Sequence, residues 1–406
     1  MRNSRQNRDS ISAVSLRAPR IALALAVTMA LAIFVVLIPM AQGQTFTTVY
    51  TFTGGTDGAF PNGLIQDAAG NLYGTTQEGG TGKCNGNYPG CGVVFKVTKA
   101  GKETILYSFP GKWNGVTPWA RVISDSGGNL YGTTFWGGGA SNDGIVFKVD
   151  KTGKETVLHR FTGSPDGAHP YAGLIRDASG DLYGTTGEGG QSDLGTVFKV
   201  SKGKLTVLHS FAGSPDGATP YAGLIQDAAG YLYGTTSSGG TYGDGTVFRM
   251  TKAGDLTVLY SFAGKPDGQA PNGLVRDAEG NLYSTTSFGG DSDFGTVFKL
   301  DTNGVETILH SFAYTDGAYP GAGLVRDAPG NLYGTTADGG KSAKWCNFGC
   351  GVVFKVTANG KETTLHFFDF ANGANPASGL VRDARGNLYG TLPNNHAAGA
   401  IFKITP

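Results

Sequence analysis

The stretch GLIRDASGDLYGTT, residues 173–186, contains two short runs of strand-forming residues joined by a glycine turn. The runs GLIRD, at 173–177, and DLYGTT, at 181–186, are rich in aliphatic, aromatic and β-branched residues. The Asp-x-x-Gly turn between them supplies the left-handed glycine that a tight hairpin requires. The stretch therefore predicts a β-hairpin.

This hairpin phrase occurs seven times along the chain. Aligned on its tyrosine, the copies fall at Tyr73, Tyr131, Tyr183, Tyr233, Tyr283, Tyr333 and Tyr389. In the copy quoted above, a third run, TVFKV at 196–200, and a fourth, LTVLHSF at 205–211, follow the hairpin, and the junctions carry Gly, Asp or Asn. Each copy therefore predicts a four-stranded antiparallel meander, with the tyrosines packed between neighbouring copies.

The two ends of the repeat region distinguish a closed ring from an open stack. TFTTVYTF, at 45–52, matches the fourth strand of a copy, and GAIFKITP, at 399–406, matches the third. In a ring, the leading strand completes the last sheet. We therefore predict an all-β fold: a seven-bladed β-propeller of four-stranded antiparallel meander blades over residues 44–406, closed by the N-terminal strand.

Residues 1–43 lie outside the repeats. Five arginines precede a largely apolar run at 21–40, and small residues follow at Ala41 and Gly43. This pattern predicts a signal peptide, with an uncleaved membrane anchor through residues 21–40 as the alternative. Both interpretations place the repeats outside the cytoplasm, as a secreted, periplasmic or cell-surface protein.

The charge of the repeat region argues against a nucleic-acid partner. Without its first 43 residues, the chain keeps 27 basic and 30 acidic residues, a net charge of −3, and no cluster of lysine and arginine. Nucleic-acid binding requires a basic surface, so a nucleic-acid partner is excluded. We separately expect the protein to be a monomer.

Four cysteines form two close pairs, each in the loop between the second and third strands of a copy. The pairs are Cys84 with Cys91 and Cys346 with Cys350. In an exported protein they favour two local disulfides. A single metal site with four thiolates is the alternative, and it requires loops from distant copies to meet.

The recurring phrases GLIxDAxGNLYGTTxxGG, GTVFKV, TVLHSF and DGAxP resemble the GloVer tandem repeat of exported bacterial proteins. The resemblance extends over residues 45–406 and implies a bacterial envelope or secreted protein, but no reaction. Members of this family often carry an anchor segment after the repeats. Because this chain stops at Pro406, we do not expect anchoring from the C-terminus.

Large aromatic residues concentrate in the loops predicted for one face of the propeller, here called the upper face. These loops join the second strand to the third and one blade to the next. They contain all four tryptophans: Trp113, Trp119, Trp136 and Trp345. Such residues suit stacking on sugars or peptides, and packing over the blade tops is the alternative.

One position inside the repeat varies although its frame is constant. The residue after the proline that precedes the first strand is Asn62, Trp119, Tyr171, Tyr221, Asn272, Gly321 or Ala377. We predict that this position lies at the upper mouth of the central channel and that Asn62, Trp119, Tyr171, Tyr221 and Asn272 contact a ligand. Lack of constraint at this position explains the variation equally well.

Two recurring sets of polar residues are interpreted as structural. His159, His209, His310 and His366 share one place on the outer strand, too far apart to hold a common metal. Asp57, Asp166, Asp216, Asp267 and Asp316 precede a glycine, which is typical of turns. We expect no metal and no cofactor.

The sequence therefore predicts an exported, non-enzymatic propeller that binds an extracellular glycan or peptide through aromatic loops. A hydrolase or lyase with its site at the channel mouth, with Asn62 and Asn272 as polar groups, is the first alternative. A structural component of the cell envelope is the second.

Overall fold

The computed structural model describes residues 44–406 except 85, 87–88, 343–345, 377 and 394–397. The predicted signal or anchor segment, residues 1–43, lies outside the described residues. Within the described part of the chain there are thirty β-strands and no helix.

The strands form seven separate antiparallel sheets, the blades. The chain begins with β1 (Thr45–Thr51). Blade 1 contains β2 (Ala59–Pro61), β3 (Ile65–Gln66), β4 (Leu72–Glu78), β5 (Val93–Val97) and β6 (Glu103–Ser108). Blade 2 contains β7 (Ile123–Ser124), β8 (Leu130–Thr134), β9 (Ile145–Val149) and β10 (Glu155–Arg160). Blade 3 contains β11 (Ile175–Arg176), β12 (Leu182–Thr186), β13 (Thr196–Ser201) and β14 (Lys204–Ser210).

The remaining blades repeat this order. Blade 4 contains β15 (Ile225–Gln226), β16 (Leu232–Thr236), β17 (Thr246–Met250) and β18 (Leu256–Ser261). Blade 5 contains β19 (Gly268–Pro271), β20 (Val275–Arg276), β21 (Leu282–Gly289), β22 (Thr296–Leu300) and β23 (Glu306–Ser311). Blade 6 contains β24 (Val325–Arg326), β25 (Leu332–Thr336), β26 (Val352–Val356) and β27 (Glu362–Phe367). Blade 7 contains β28 (Val381–Arg382), β29 (Leu388–Leu392) and β30 (Ala400–Thr405), completed by β1.

Blade 7 closes the ring as predicted. β1 pairs antiparallel with β30, Thr48 lies opposite Phe402, and a register shift leaves Val49 between two paired residues. The same bulge occurs in the outer strand of the other blades, as between Val157 and His159. The all-β seven-bladed propeller with four-stranded antiparallel blades is therefore confirmed.

The innermost strands are shorter than the sequence predicts. In blade 3, only Ile175 and Arg176 pair with β12, whereas the pattern predicted a strand over 173–177. Pro170 cannot donate a backbone hydrogen bond. The residues between it and Ile175 pass the neighbouring blade instead: a Cβ at Gly173 would lie 2.9 Å from the carbonyl oxygen of Arg121.

The hydrophobic core consists of seven clusters, each made by side chains of two adjacent blades. Between blades 3 and 4, Tyr183 and Phe211 pack against Leu232 and Phe248, all buried. The glycine of the Leu-Tyr-Gly phrase makes room for this packing, because a Cβ at Gly234 would lie 2.6 Å from Cζ of Phe248. A fully buried phenylalanine stabilises the fold by about 2–3 kcal/mol through the area it removes from water. Packing between repeats thus holds the ring together.

Polar contacts reinforce the blade interfaces beside the channel. Thr185 donates a hydrogen bond through Oγ1 to the backbone oxygen of Ala222 in the next blade, at 3.2 Å. The equivalent threonines of five other blades make the same bond, namely Thr75, Thr133, Thr235, Thr285 and Thr335. The repeated Gly-Thr-Thr phrase therefore links each of these blades to its neighbour.

The lower hairpins are held by the aspartate of each Asp-x-x-Gly turn. The Asp125 carboxylate accepts hydrogen bonds from the backbone nitrogens of Gly127 and Asn129, the Asn129 amide and the Tyr131 hydroxyl. Burial raises the pKa of Asp125, but these hydrogen bonds outweigh it and lower the pKa to about 2. The seven repeat tyrosines are thus packing residues whose hydroxyls hold the turn below them.

Candidate functional site

A central channel of about 1270 Å³ runs between the inner edges of the blades. All seven blades contribute to its wall through the segments that lead from the proline into the first strand. Within the described residues, this wall contains no aspartate, glutamate, histidine or cysteine. The channel is the candidate site, since concave surfaces on rigid scaffolds are where small ligands bind.

The backbone at the upper mouth adopts an unusual conformation in every blade. The residue before the proline has a positive φ in all seven, although none is glycine: Phe60, Thr117, His169, Thr219, Ala270, Tyr319 and Asn375. This left-handed conformation costs free energy, on the order of 1 kcal/mol for each such residue. It sets the direction in which the chain enters the channel wall.

Three of the predicted ligand contacts form one continuous aromatic surface, here called the aromatic arc: Trp119, Tyr171 and Tyr221. They come from blades 2, 3 and 4, and all three line the channel. The Trp119 and Tyr171 rings lie 5.4 Å apart, and the Tyr171 and Tyr221 rings lie 4.4 Å apart. Trp119 is 40% exposed and Tyr221 is 43% exposed. The arc therefore presents large apolar faces to solvent within the channel mouth.

Residues behind the aromatic arc fix its orientation. The Phe135 ring lies 5.1 Å from Trp119 and 4.5 Å from Tyr171. Gly187 leaves room for the rings, because a Cβ there would lie 2.6 Å from Cε1 of Tyr221. His169 stacks on Phe135, and its Nδ1 lies 2.9 Å from Oε2 of Glu188. The arc is thus supported by packing from below and behind.

The two tyrosines of the arc keep their protons at neutral pH. Burial raises the pKa of Tyr171, as do the neighbouring Tyr221 and Glu188. Burial and Glu188 also raise the pKa of Tyr221. Their hydroxyls are therefore available as hydrogen-bond donors and acceptors beside the ring faces.

The predicted contacts Asn62 and Asn272 lie in the channel wall but serve the blade interfaces. The Asn62 amide nitrogen donates to the backbone oxygen of Pro118 at 2.7 Å, and its Oδ1 accepts from Gln77. The Asn272 amide nitrogen donates to the oxygen of Pro320, also at 2.7 Å. Both side chains join one blade to the next, and Asn62 is buried.

The other tryptophans do not join the aromatic arc. Trp136, 38% exposed, packs against Phe135 and His169 behind the arc and does not line the channel. Trp113, 52% exposed, lies against Gly139 in the neighbouring loop and also stays outside the channel. Trp345 lies outside the described residues.

Sequence reasoning missed a second variable position at the mouth, the residue directly after the Gly-Thr-Thr phrase. Gln77, Ser237, Ser287 and Pro393 occupy it in the channel wall, and Phe135 and Gly187 occupy it behind the arc. The variation of this residue within a constant frame is the sequence signal that would have revealed the position. The first and second strands of a blade therefore contribute paired positions to the mouth.

Three of the four recurring histidines pair with an aspartate at the outer edge of the blades. His159 lies 2.8 Å from Asp166, His209 lies 2.7 Å from Asp216, and His310 lies 3.0 Å from Asp316. Tyrosine replaces histidine in two blades, in Tyr50 with Asp57 and Tyr260 with Asp267. These pairs are remote from the channel wall and hold the turn after the outer strand.

Both predicted disulfides are present, Cys84 with Cys91 and Cys346 with Cys350, with Cα–Cα distances of 5.1 and 5.3 Å. Cys91 and Cys350 pack into the cores of the adjacent blade interfaces. The described residues contain no group of three or more metal-ligating side chains. They also contain no helix long and apolar enough to cross a membrane.

Sequence comparison identifies a repeat family. The model of the Gloeobacter/Verrucomicrobia repeat matches residues 83–266 and 222–406, which together extend over most of the chain. No curated protein matches.

Solved structures with low sequence identity share the fold. Virginiamycin B lyase from Staphylococcus aureus has a TM-score of 0.57 at 15% identity, over 89% of this chain and 99% of the lyase. The extracellular domain of a protein assigned as a hybrid two-component system, from B. thetaiotaomicron, has a TM-score of 0.54 at 16% identity, over 89% of this chain and 41% of that one. At such identities the likeness concerns the fold alone.

Proposed function

The chain belongs to the Gloeobacter/Verrucomicrobia repeat family, and we propose that it is an extracytoplasmic propeller that binds a glycan at the upper mouth of its channel. The observation that carries this proposal is the aromatic arc, whose three rings line one side of an open channel. Sugars stack their C–H faces on such rings, while their hydroxyls hydrogen-bond to polar groups at the ring edges.

The polar groups near the arc suit a sugar ligand. Gln77, Ser237 and Ser287 line the same mouth, and the Tyr171 and Tyr221 hydroxyls stay protonated. Together they offer both donors and acceptors within a concave surface.

We propose binding rather than catalysis because the described channel wall lacks the side chains that most often act as catalysts. General acid–base and nucleophilic catalysis rely on side chains such as His, Asp, Glu or Cys within reach of the substrate. The described wall has none of these, and Nε2 of the nearby His169 is buried without a hydrogen-bond partner.

The location outside the cytoplasm is supported by the two disulfides, which persist in oxidising compartments. It agrees with the signal or anchor segment expected in residues 1–43.

The test is calorimetric titration with a panel of neutral and acidic oligosaccharides, and with peptides as the alternative ligand. We expect a glycan to bind, and Trp119→Ala or Tyr171→Ala to weaken it about 10-fold, since stacking on one ring contributes roughly 1–2 kcal/mol. Trp113→Ala is the matched control, because Trp113 is exposed but lies outside the channel.

Two results would contradict the proposal. One is a panel in which no glycan binds. The other is glycan binding that Trp119→Ala leaves unchanged and Trp113→Ala abolishes, which would move the site to the outer loop.

A further inference from the structure

Arg121 interrupts a ring of glycines around the channel. At the position directly before the leucine or valine that leads into the first strand, six blades have glycine: Gly63, Gly173, Gly223, Gly273, Gly323 and Gly379. Blade 2 has Arg121 instead, in the phrase Pro-Trp-Ala-Arg at 118–121. The flanking glycines accommodate it, since a Cβ at Gly63 would lie 3.2 Å from Cβ of Arg121, and one at Gly173 would lie 3.2 Å from its Cγ.

The Arg121 side chain is enclosed by the propeller but open to the channel. It lines the channel wall and is exposed to solvent there. The surrounding protein lowers the pKa of its guanidinium by desolvation. An arginine nevertheless remains cationic at any physiological pH.

No described residue neutralises this charge. Arg121 has no ion pair, hydrogen bond or aromatic ring contact among the described residues, and nothing but desolvation shifts its pKa. The other arginines of the wall are different: Arg276, Arg326 and Arg382 each lie over the tyrosine of the preceding blade, at 5.6 to 5.7 Å. Arg326 and Arg382 also interact with the hairpin aspartates Asp277 and Asp327.

The placement of Arg121 beneath the aromatic arc limits the ligand it fits. Arg121 lies two residues after Trp119 in the same channel-lining segment, so their Cα atoms are at most about 7 Å apart. A ligand group held by Arg121 therefore lies close to the aromatic arc. A guanidinium binds a planar carboxylate through two parallel hydrogen bonds, and a single unpaired cation matches a monoanion.

We propose that Arg121 binds the carboxylate of a sugar acid whose ring stacks on the aromatic arc, so that the ligand is a uronate-containing glycan. This inference rests on the proposed glycan function and adds the chemical class of the ligand. Among its described residues the channel wall has no carboxylate, and this favours such an anion over the matching neutral sugar.

The experiment titrates the full chain with tetramers of galacturonate, glucuronate and mannuronate, each beside its neutral methyl ester. We expect at least one acid to bind about 10- to 100-fold more tightly than its ester, the range given by a charge-assisted hydrogen bond. Arg121→Gly restores the residue of the other six blades, and it is expected to fold and to remove this preference. Arg160→Met is the control, because Arg160 is an exposed arginine of the upper face whose Nε donates to the backbone oxygen of Trp113.

The outcomes separate the two proposals. Equal binding of acid and ester, unchanged in Arg121→Gly, would overturn the carboxylate assignment and leave glycan binding standing. Tighter binding of a sulfated tetramer than of the uronates would also overturn it, since it would assign the cation to a sulfate ester. If no acid or ester in the set binds, the uronate inference is wrong, and the wider panel with Trp119→Ala then decides on glycan binding alone.

Discussion

The innermost segment of each blade begins at the upper mouth and ends at a lower hairpin, and these two ends follow opposite rules. At the lower end, aspartate occupies the turn in all seven blades and hydrogen-bonds to the same groups each time, as Asp125 and Asp327 do. At the upper end, the residue after the proline changes from blade to blade, and its contacts change with it. A repeated side chain with repeated partners stabilises the fold, whereas the varied side chains in a constant frame form the surface at which we propose that a ligand binds.

The largest difference is expected between a core ring and an arc ring. Phe198→Ala should lower the free energy of unfolding by about 3–5 kcal/mol, because the buried ring leaves a cavity between blades. Trp119→Ala should change it by less than about 0.5 kcal/mol, since the ring is 40% exposed. Urea denaturation of both variants checks this. A severe loss with Trp119→Ala would mean that the arc is packing and would break the comparison.

The lower hairpin gives the next largest effect. Asp125→Ala should cost about 1–3 kcal/mol at pH 7, because it leaves the Tyr131 hydroxyl and two backbone N–H groups without their acceptor. The folded-state pKa of Asp125 is lowered to about 2, so its stabilising contribution is complete above the unfolded value, about 3.9, and is lost as pH falls through about 2. Denaturation curves between pH 7 and pH 2 should show the variant and the native chain converging. A gap that stays constant with pH would contradict the role of the ionised carboxylate.

Asn272 lies at the upper mouth, but its side chain makes a structural hydrogen bond, as the aspartates of the lower hairpins do. Asn272→Ala should lower stability by about 1 kcal/mol, because the hydrogen bond to Pro320 across the blade interface is lost. It should leave glycan affinity within about 2-fold, since its amide is occupied by the fold. Calorimetry and thermal unfolding of the same sample separate the two effects. A large loss of affinity with unchanged stability would return Asn272 to the ligand contacts.

The smallest effect concerns a carboxylate without full partners. Burial, and then the charge of Asp267, raise the pKa of Glu306 at the outer edge of blade 5 to about 7. Since this folded-state pKa lies above the unfolded value, the contribution of Glu306 is favourable below about pH 4.5 and is lost as pH rises through about 7. Glu306→Gln should therefore be as stable as the native chain at pH 4 and more stable than it at pH 8. The difference at pH 8 should be about 1 kcal/mol or less, because solvent screens the repulsion between Glu306 and Asp267. The exposed Glu279→Gln is the control, and equal curves for all three proteins would show that Glu306 is solvated.

The sequence was sufficient for the architecture because periodicity and the matching ends constrain it. Tyr183 and its equivalents had to pack between blades, and Thr45–Thr51 had only one sheet left to complete. The hairpin aspartates and the cysteine pairs were equally local, since their partners lie within a few residues. Local spacing therefore carried most of the fold.

The candidate site was predicted only in part, because its contacts cross between blades. The post-proline residues Asn62, Trp119, Tyr171, Tyr221, Asn272 and Gly321 line the channel. The hydrogen bond from Asn62 to Pro118, however, depends on how two blades meet. The support of Trp119 by Phe135 depends on the paired second strand. Arg121 was visible as a break in the glycine frame, but its lack of a partner is a property of the closed ring.

The pairing of β1 with β30 has a consequence for how the protein reaches its native state. β1 is synthesised before all the other strands, and its partner strand β30 is synthesised last. Residues 45 and 405 therefore pair only after the chain between them has folded. Loops this long are slow to close, and β1 has an unpaired edge until they do. The closing sheet is thus expected to be the last to form and, in hydrogen exchange, the first whose amides lose protection.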